Sequence, residues 1–159
     1  PSSSSAASDV YKRQNMASKK VVMYTDGACS GNPGNGGWGA YIEIDDKKIE
    51  LSGSENNTTN NRMELKAVIY ALDYLDEKRD IIIFTDSKYV MQGIQEWIKK
   101  WKINNWKTAQ KKDVKNKDLW VELDNLTDKH SIKCEWVKGH SGDYGNEIAD
   151  KLAVAQIKG

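Results

Sequence analysis

A chain of 159 residues, 38% of them hydrophobic, is long enough for one domain with its own core. Its formal net charge of +1 says little about partners, so any charged ligand must be met by a local patch. No apolar run approaches the roughly 18 residues of a membrane span, which excludes a transmembrane helix and a membrane partner of that kind.

Residues 1–18 stand apart. Pro1 to Ser8 is rich in serine and alanine, a composition that cannot bury a core, and it lacks the apolar middle of a secretory signal. Asp9 to Gln14 resembles the translation of a sequencing-library adapter, with Met16 as the natural start. Residues 1–18 therefore read as a disordered tail or a cloning or sequencing artefact, and residues 19–159 as the folded domain. Cys29 and Cys134 are far apart and lack metal-ligand spacing. They make no secreted disulfide framework, so a reducing, cytoplasmic compartment is expected.

Along the domain, Lys20 to Thr25 is a β-branched and aromatic run closed by Asp26-Gly27, the pattern of a buried strand stopped by a turn. Gly31 to Gly37 reads as a loop. Trp38 to Ile44 and Lys47 to Ser52 flank Asp45-Asp46 as a hairpin would, and Asn56 to Asn61 reads as a polar loop. Arg62 to Leu75 carries Leu65, Val68, Ile69, Leu72 and Leu75 at helical spacing. Ile81 to Thr85 is a second buried strand, ending at Asp86-Ser87. Lys88 to Lys102 is expected to be helical in two pieces around Gly93, and Asp118 to Leu126 as a short amphipathic helix. Ser131 to Val137 alternates with Ile132, Cys134 and Trp136 on one face, a strand. Gly139 to Asn146 is a loop and Glu147 to Ile157 a final helix. The order β-β-β-α-β-α-α-β-α predicts an α/β fold: a mixed five-stranded sheet, its three leading strands antiparallel and its later strands parallel, with helices on both faces.

Two of these strands end alike. Thr25-Asp26 and Thr85-Asp86 each place an aspartate at the carboxyl end of an apolar run, where open α/β sheets bind ligands. Glu64 lies in the first turn of the helix between them, and Asp150 on the last helix. Four carboxylates can therefore meet at one sheet edge. Such a cluster opposes folding, since like charges about 4 Å apart repel by about 4 kcal/mol at an effective dielectric of about 20. Cations relieve it, and all-oxygen ligands favour Mg²⁺ or Mn²⁺ over zinc. Two such ions suit phosphodiester hydrolysis. Each acid also has a plain structural role open to it. Asp26 could open a turn, Asp86 could cap its helix, Asn61 and Glu64 fit a loose capping pattern, and Asp150 could be surface charge.

A second feature is basic and aromatic. Gln95 to Lys117 holds eight lysines against Glu96 and Asp113, together with Trp97, Trp101 and Trp106. Lysines neutralise phosphates and flat aromatics pack on sugars or bases. Trp97 and Trp101, four apart, could instead pack together along one helix face.

These residues resemble type 1 ribonuclease H of the bacterial kind with a basic protrusion. The matching stretches are Tyr24 to Gly34, Thr59 to Leu65, Thr85 to Val90, Trp136 to Gly142 and Asn146 to Asp150, spread over essentially the whole domain. The resemblance implies an endonuclease that hydrolyses the RNA strand of RNA–DNA hybrids with two Mg²⁺ ions, Mn²⁺ able to substitute, leaving 5′-phosphate and 3′-hydroxyl ends. It makes 19–159 the catalytic domain of an expected monomer that removes RNA primers and R-loops. Asp26, Glu64, Asp86 and Asp150 would hold the metal, with His140 moving protons or releasing product. Gly27, Cys29, Asn32, Asn60, Asn61 and Lys88 would meet the RNA strand, where the family has minor-groove contacts to 2′-hydroxyls. Lys88 departs from the glutamine of many relatives. Thr59 and Asn116 would hold a DNA phosphate, and Trp97, Lys99, Lys100, Trp101 and Lys102 would grip the DNA strand. The rival reading is a non-catalytic module for hybrids or double-stranded RNA, which has no use for four carboxylates.

Overall fold

The structure, a computed structural model, describes residues 20–137 and 144–158. Its strands are β1 Lys20–Gly31, β2 Gly34–Ile44, β3 Lys47–Thr58, β4 Asp80–Thr85 and β5 Ser131–Trp136. Its helices are α1 Asn60–Asp73, α2 Lys88–Gln92, α3 Ile98–Ile103, α4 Lys117–Thr127 and α5 Tyr144–Lys158, with a π-helical turn at Gly93–Trp97 between α2 and α3. The five strands form one sheet in the order β3-β2-β1-β4-β5. β1 pairs antiparallel with β2 and β2 with β3, whereas β1 with β4 and β4 with β5 are parallel, as the element order predicts.

The largest departure from the sequence reading lies in the glycine-rich stretch. β1 does not stop at Asp26-Gly27 but continues to Gly31, paired residue for residue with β2. Gly36, Gly37 and Gly39 are strand residues, and each makes room for a neighbour. A Cβ at Gly37 would fall 2.2 Å from the Ala153 carbonyl oxygen, and one at Gly39 would fall 2.4 Å from that of Ala149, both on α5. A Cβ at Gly36 would meet Thr58 and the Met63 side chain of α1 on the opposite face. The two helices therefore press on opposite faces of β2, and tertiary packing overrides the turn signal of glycine. Only the link from Gly31 (φ +86°) to Gly34 is a turn.

β3 also extends to Thr58, past the predicted end at Ser52, with a register shift opposite Gly34 and Gly36. α1 consequently starts at Asn60, two residues early. Thr59, not Asn61, is its N-cap, its hydroxyl accepting from the Arg62 backbone N–H at 3.3 Å. The predicted stripe Leu65, Val68, Ile69 and Leu72 is buried against Val21, Met23, Ile81 and Ile83 of the sheet. Gly93 does not divide the next helix in two; the chain stays helical through a π turn. The glycine lets Trp120 of α4 lie against it, for a Cβ there would fall 1.9 Å from the indole. On β5, Cys134 is buried but Trp136 is 46% exposed, since this edge strand ends beyond the core.

Candidate active site

The parallel pairing of β1 with β4 builds the site. Thr25 lies opposite Thr85, so Asp26 and Asp86 follow each other side by side at the same level of the sheet. Asp26 sits within β1, opposite Gly39, instead of opening a turn. Asp86 does not cap α2 either, because Ser87 does, accepting from the Val90 N–H at 3.2 Å. Glu64 reaches the same point from α1, in its second turn and not its first. Gly27 permits that approach, for a Cβ there would lie 2.4 Å from the Glu64 backbone nitrogen. The Gly27 N–H donates to Asp26 Oδ1 at 2.9 Å and also to Glu64 Oε1.

Carboxylate oxygens of Asp26, Glu64 and Asp86 all lie within 4.8 Å of one another. Asp26 and Glu64 are buried, and Asp86 half-buried. Asp150, half-buried on α5, is near enough to Asp26 to add a little to the raising of its pKa. Burial, then the charges of Glu64 and Asp86, raise the Asp26 pKa far above the ordinary carboxylate range. Burial also raises Glu64, against the opposing hydrogen bonds from Asp26 and Gly27. The cation-free cluster therefore stores protons. Acids this close, with all-oxygen donors and one open side, fit hard divalent cations.

The residues expected near RNA gather around the start of α1. Asn32 Oδ1 accepts from the Asn60 N–H at 3.2 Å, Cys29 Sγ donates to the Thr58 carbonyl at 3.3 Å, and Asn61 follows in the first turn. Lys88 is exposed on α2, its ammonium 5.6 Å from the ring centroid of Trp136. That pairing joins residues on different elements, and no spacing signal announces it. His140 lies outside the described residues.

The basic segment divides more finely than its composition implies. Trp97, Trp101 and Trp106 are half-buried and join Tyr89 and Trp120 in one aromatic cluster, with centroids 5.3 to 6.1 Å apart. Packing is thus a role these tryptophans visibly perform. Lys99 and Lys100 are exposed, and among the described residues neither forms an ion pair. Lys102 sits 3.3 Å from Asp124 and 4.0 Å from Asp128. Thr59 and Asn116 are tied together through Arg62.

Clustered acids beside the carboxyl end of β4, on a chain that also carries an exposed basic helix, are the arrangement of a cation-dependent nuclease. The family model for RNase H matches residues 18–158. Ribonuclease H of Francisella tularensis subsp. novicida is 58% identical over 149 residues, covering 94% of this chain and 95% of that protein. The Francisella philomiragia enzyme is 58% identical over 142 residues, 87% of this chain and 93% of that one. Among solved structures, LC9-RNase H1, a type 1 RNase H with the type 2 active-site motif, has a TM-score of 0.79. It is 31% identical over 87% of this chain and 72% of its own. LC11-RNase H1, solved with an RNA/DNA hybrid, shares the fold at a TM-score of 0.68 and 22% identity, over 87% of this chain and 96% of its own. The chain belongs to the ribonuclease H family and is a hydrolytic nuclease.

Proposed function

We propose that this ribonuclease H cuts the RNA strand of RNA–DNA hybrids internally, with Asp26, Glu64, Asp86 and Asp150 holding two Mg²⁺ ions or, in substitution, Mn²⁺. The supporting observation is the convergence of three carboxylates within 4.8 Å in a site that desolvates two of them. When bound, such cations neutralise the scissile phosphate and lower the pKa of an attacking water. The chain's own part is positioning. The Gly27 N–H fixes one oxygen each of Asp26 and Glu64, so both carboxylates keep their remaining lone pairs for cations. The half-buried Asp86 and Asp150 leave the open side through which a strand can approach. By family likeness, His140 handles protons or product, and the products carry 5′-phosphate and 3′-hydroxyl ends.

Residues 19–159 form the catalytic domain on this reading, acting as a cytoplasmic monomer that removes RNA primers and R-loops. The hybrid bound in LC11-RNase H1 supports the choice of duplex. Around the acids, Gly27, Cys29, Asn32, Asn60, Asn61 and Lys88 face the RNA strand. Thr59, Asn116, Trp97, Lys99, Lys100, Trp101 and Lys102 serve the DNA strand. Cleavage of a hybrid, double-stranded RNA, double-stranded DNA and single-stranded RNA, each with Mg²⁺ and with EDTA, tests the proposal. Only the hybrid with Mg²⁺ is expected to be cut. Cleavage in EDTA overturns the metal assignment, and equal cutting of double-stranded RNA overturns the hybrid assignment.

A further inference from the structure

Arg62 occupies an electrostatically awkward place. It lies in the first turn of α1, where the helix dipole favours acids and none is present. The structure supplies a tertiary reason. The guanidinium forks onto Asp118, Nη1 to Oδ1 at 3.1 Å and Nη2 to Oδ2 at 2.8 Å. Nη1 also donates to Asn116 Oδ1 at 3.2 Å, and the Arg62 backbone N–H donates to Thr59 Oγ1 at 3.3 Å. Asn116 is held from its other end as well. Its Nδ2 donates to Tyr89 Oη at 3.0 Å, and the same oxygen accepts from Trp120 Nε1 at 3.0 Å. Asn116 has a left-handed backbone (φ 60°) and caps no helix N–H with its side chain, so its amide belongs wholly to this chain of bonds.

The direction of the bonds carries the argument. Thr59 Oγ1 accepts, which leaves its hydroxyl proton to donate. Asn116 Oδ1 accepts from Arg62, and Nδ2 gives one hydrogen to Tyr89, which leaves the second. Acceptors are occupied and donors remain, the inventory that a phosphate oxygen needs. Asp118 balances the guanidinium, so such a subsite reads hydrogen-bond geometry more than bulk charge.

We infer that Arg62 is a positioning residue that clamps Asn116, at the start of α4, to Thr59, at the start of α1, making them one phosphate-binding pair for the DNA strand. This rests on the reading of Thr59 and Asn116 as DNA-strand ligands given under Proposed function. Tyr89 is the other half of the clamp.

The test walks a single methylphosphonate, which removes one backbone charge, along the DNA strand of a short hybrid, with KM and kcat measured at each position. For the unchanged enzyme, one position raises KM about tenfold and leaves kcat alone, the scale of one lost charge-assisted hydrogen bond. Arg62→Ala raises KM by a similar factor on the unmodified hybrid, and the marked position then adds nothing, because two changes to one interaction do not sum. Arg62→Lys keeps the charge and the backbone bond but cannot fork onto Asn116 and Asp118 together, so it behaves as the alanine variant does. Tyr89→Phe produces the same KM rise through Asn116. Thermal melts separate folding from positioning, and if Arg62→Ala does not fold, Arg62→Lys carries the comparison. A folded Arg62→Lys enzyme with unchanged KM, or one that keeps full sensitivity at the marked position, overturns the positioning role. Insensitivity of the unchanged enzyme at every position overturns the phosphate subsite itself, and Arg62's role with it.

Discussion

Asp26 carries opposite consequences for stability and for activity. Burial and neighbouring charge raise Asp26 and Glu64 above their unfolded values, so the folded chain without cations binds more protons than the unfolded chain. Their contribution to stability is full below about pH 4, the unfolded carboxylate range, and is lost as pH rises through the folded values. In EDTA the urea midpoint should fall between about pH 5 and about pH 9, and Mg²⁺ should remove much of that slope by binding the deprotonated acids. Asp26→Asn should abolish cleavage, leave hybrid binding largely intact and stabilise the cation-free protein by about 1–2 kcal/mol at neutral pH, since an amide needs no proton to be buried neutral and the raised carboxyl does. Urea titrations across pH, with a hybrid-binding assay, check all three. A destabilised Asp26→Asn protein would place Asp26 in the architecture and not in the chemistry.

At the scale of elements, two glycines set two different distances. Gly27 brings α1 against β1, and the atoms a Cβ would strike are backbone, at 2.4 Å for Glu64 N and 2.5 Å for Met63 C. Backbone cannot swing aside as a side chain does, so Gly27→Ala should displace α1, carry Glu64 away from Asp26 and lower kcat far more than KM. Gly93 brings the π turn against the buried Trp120. Gly93→Ala should shift the aromatic cluster and the lysines beyond it, raising KM while kcat is largely kept. Overpacking of this kind costs about 1–3 kcal/mol, so both variants should melt early. Steady-state kinetics alongside melts separates the two, and identical kinetic profiles would refute the division of labour between the elements.

Across the whole molecule, the proposed function assigns catalysis to the acidic cluster and affinity to the lysines of the basic segment, on a chain of net charge +1. Affinity that comes from phosphate neutralisation must weaken with salt, at a slope of about 0.9 per phosphate for B-form DNA. Lys99 and Lys100 are exposed, so replacing both by alanine should flatten the slope for hybrid binding by about 2. Lys102 is already engaged with Asp124 and Asp128, and Lys102→Ala should change the slope by less than about half that of a free lysine. Equilibrium binding at several salt concentrations decides it, and an equal effect for all three lysines would show that the ion pairs of Lys102 give way on binding.

The sequence by itself determined the element order and the sense of every strand pairing, because strand and helix periodicity are local properties, and it singled out Asp26 and Asp86 as the residues that close two apolar runs. It misplaced the ends of β1 and β3, read strand glycines as a loop and moved the α1 cap by two residues. At Gly27, Gly36 and Gly37, and at Gly93 where the helix was expected to divide, the missing side chain answers a neighbour distant in the chain, and no local pattern records that neighbour. Only the tertiary structure decided that the tryptophans pack on Tyr89 and Trp120, that Lys88 lies over Trp136 and that Arg62 joins Thr59 to Asn116. Those contacts depend on distances between elements, which are set by packing and not by the order of residues.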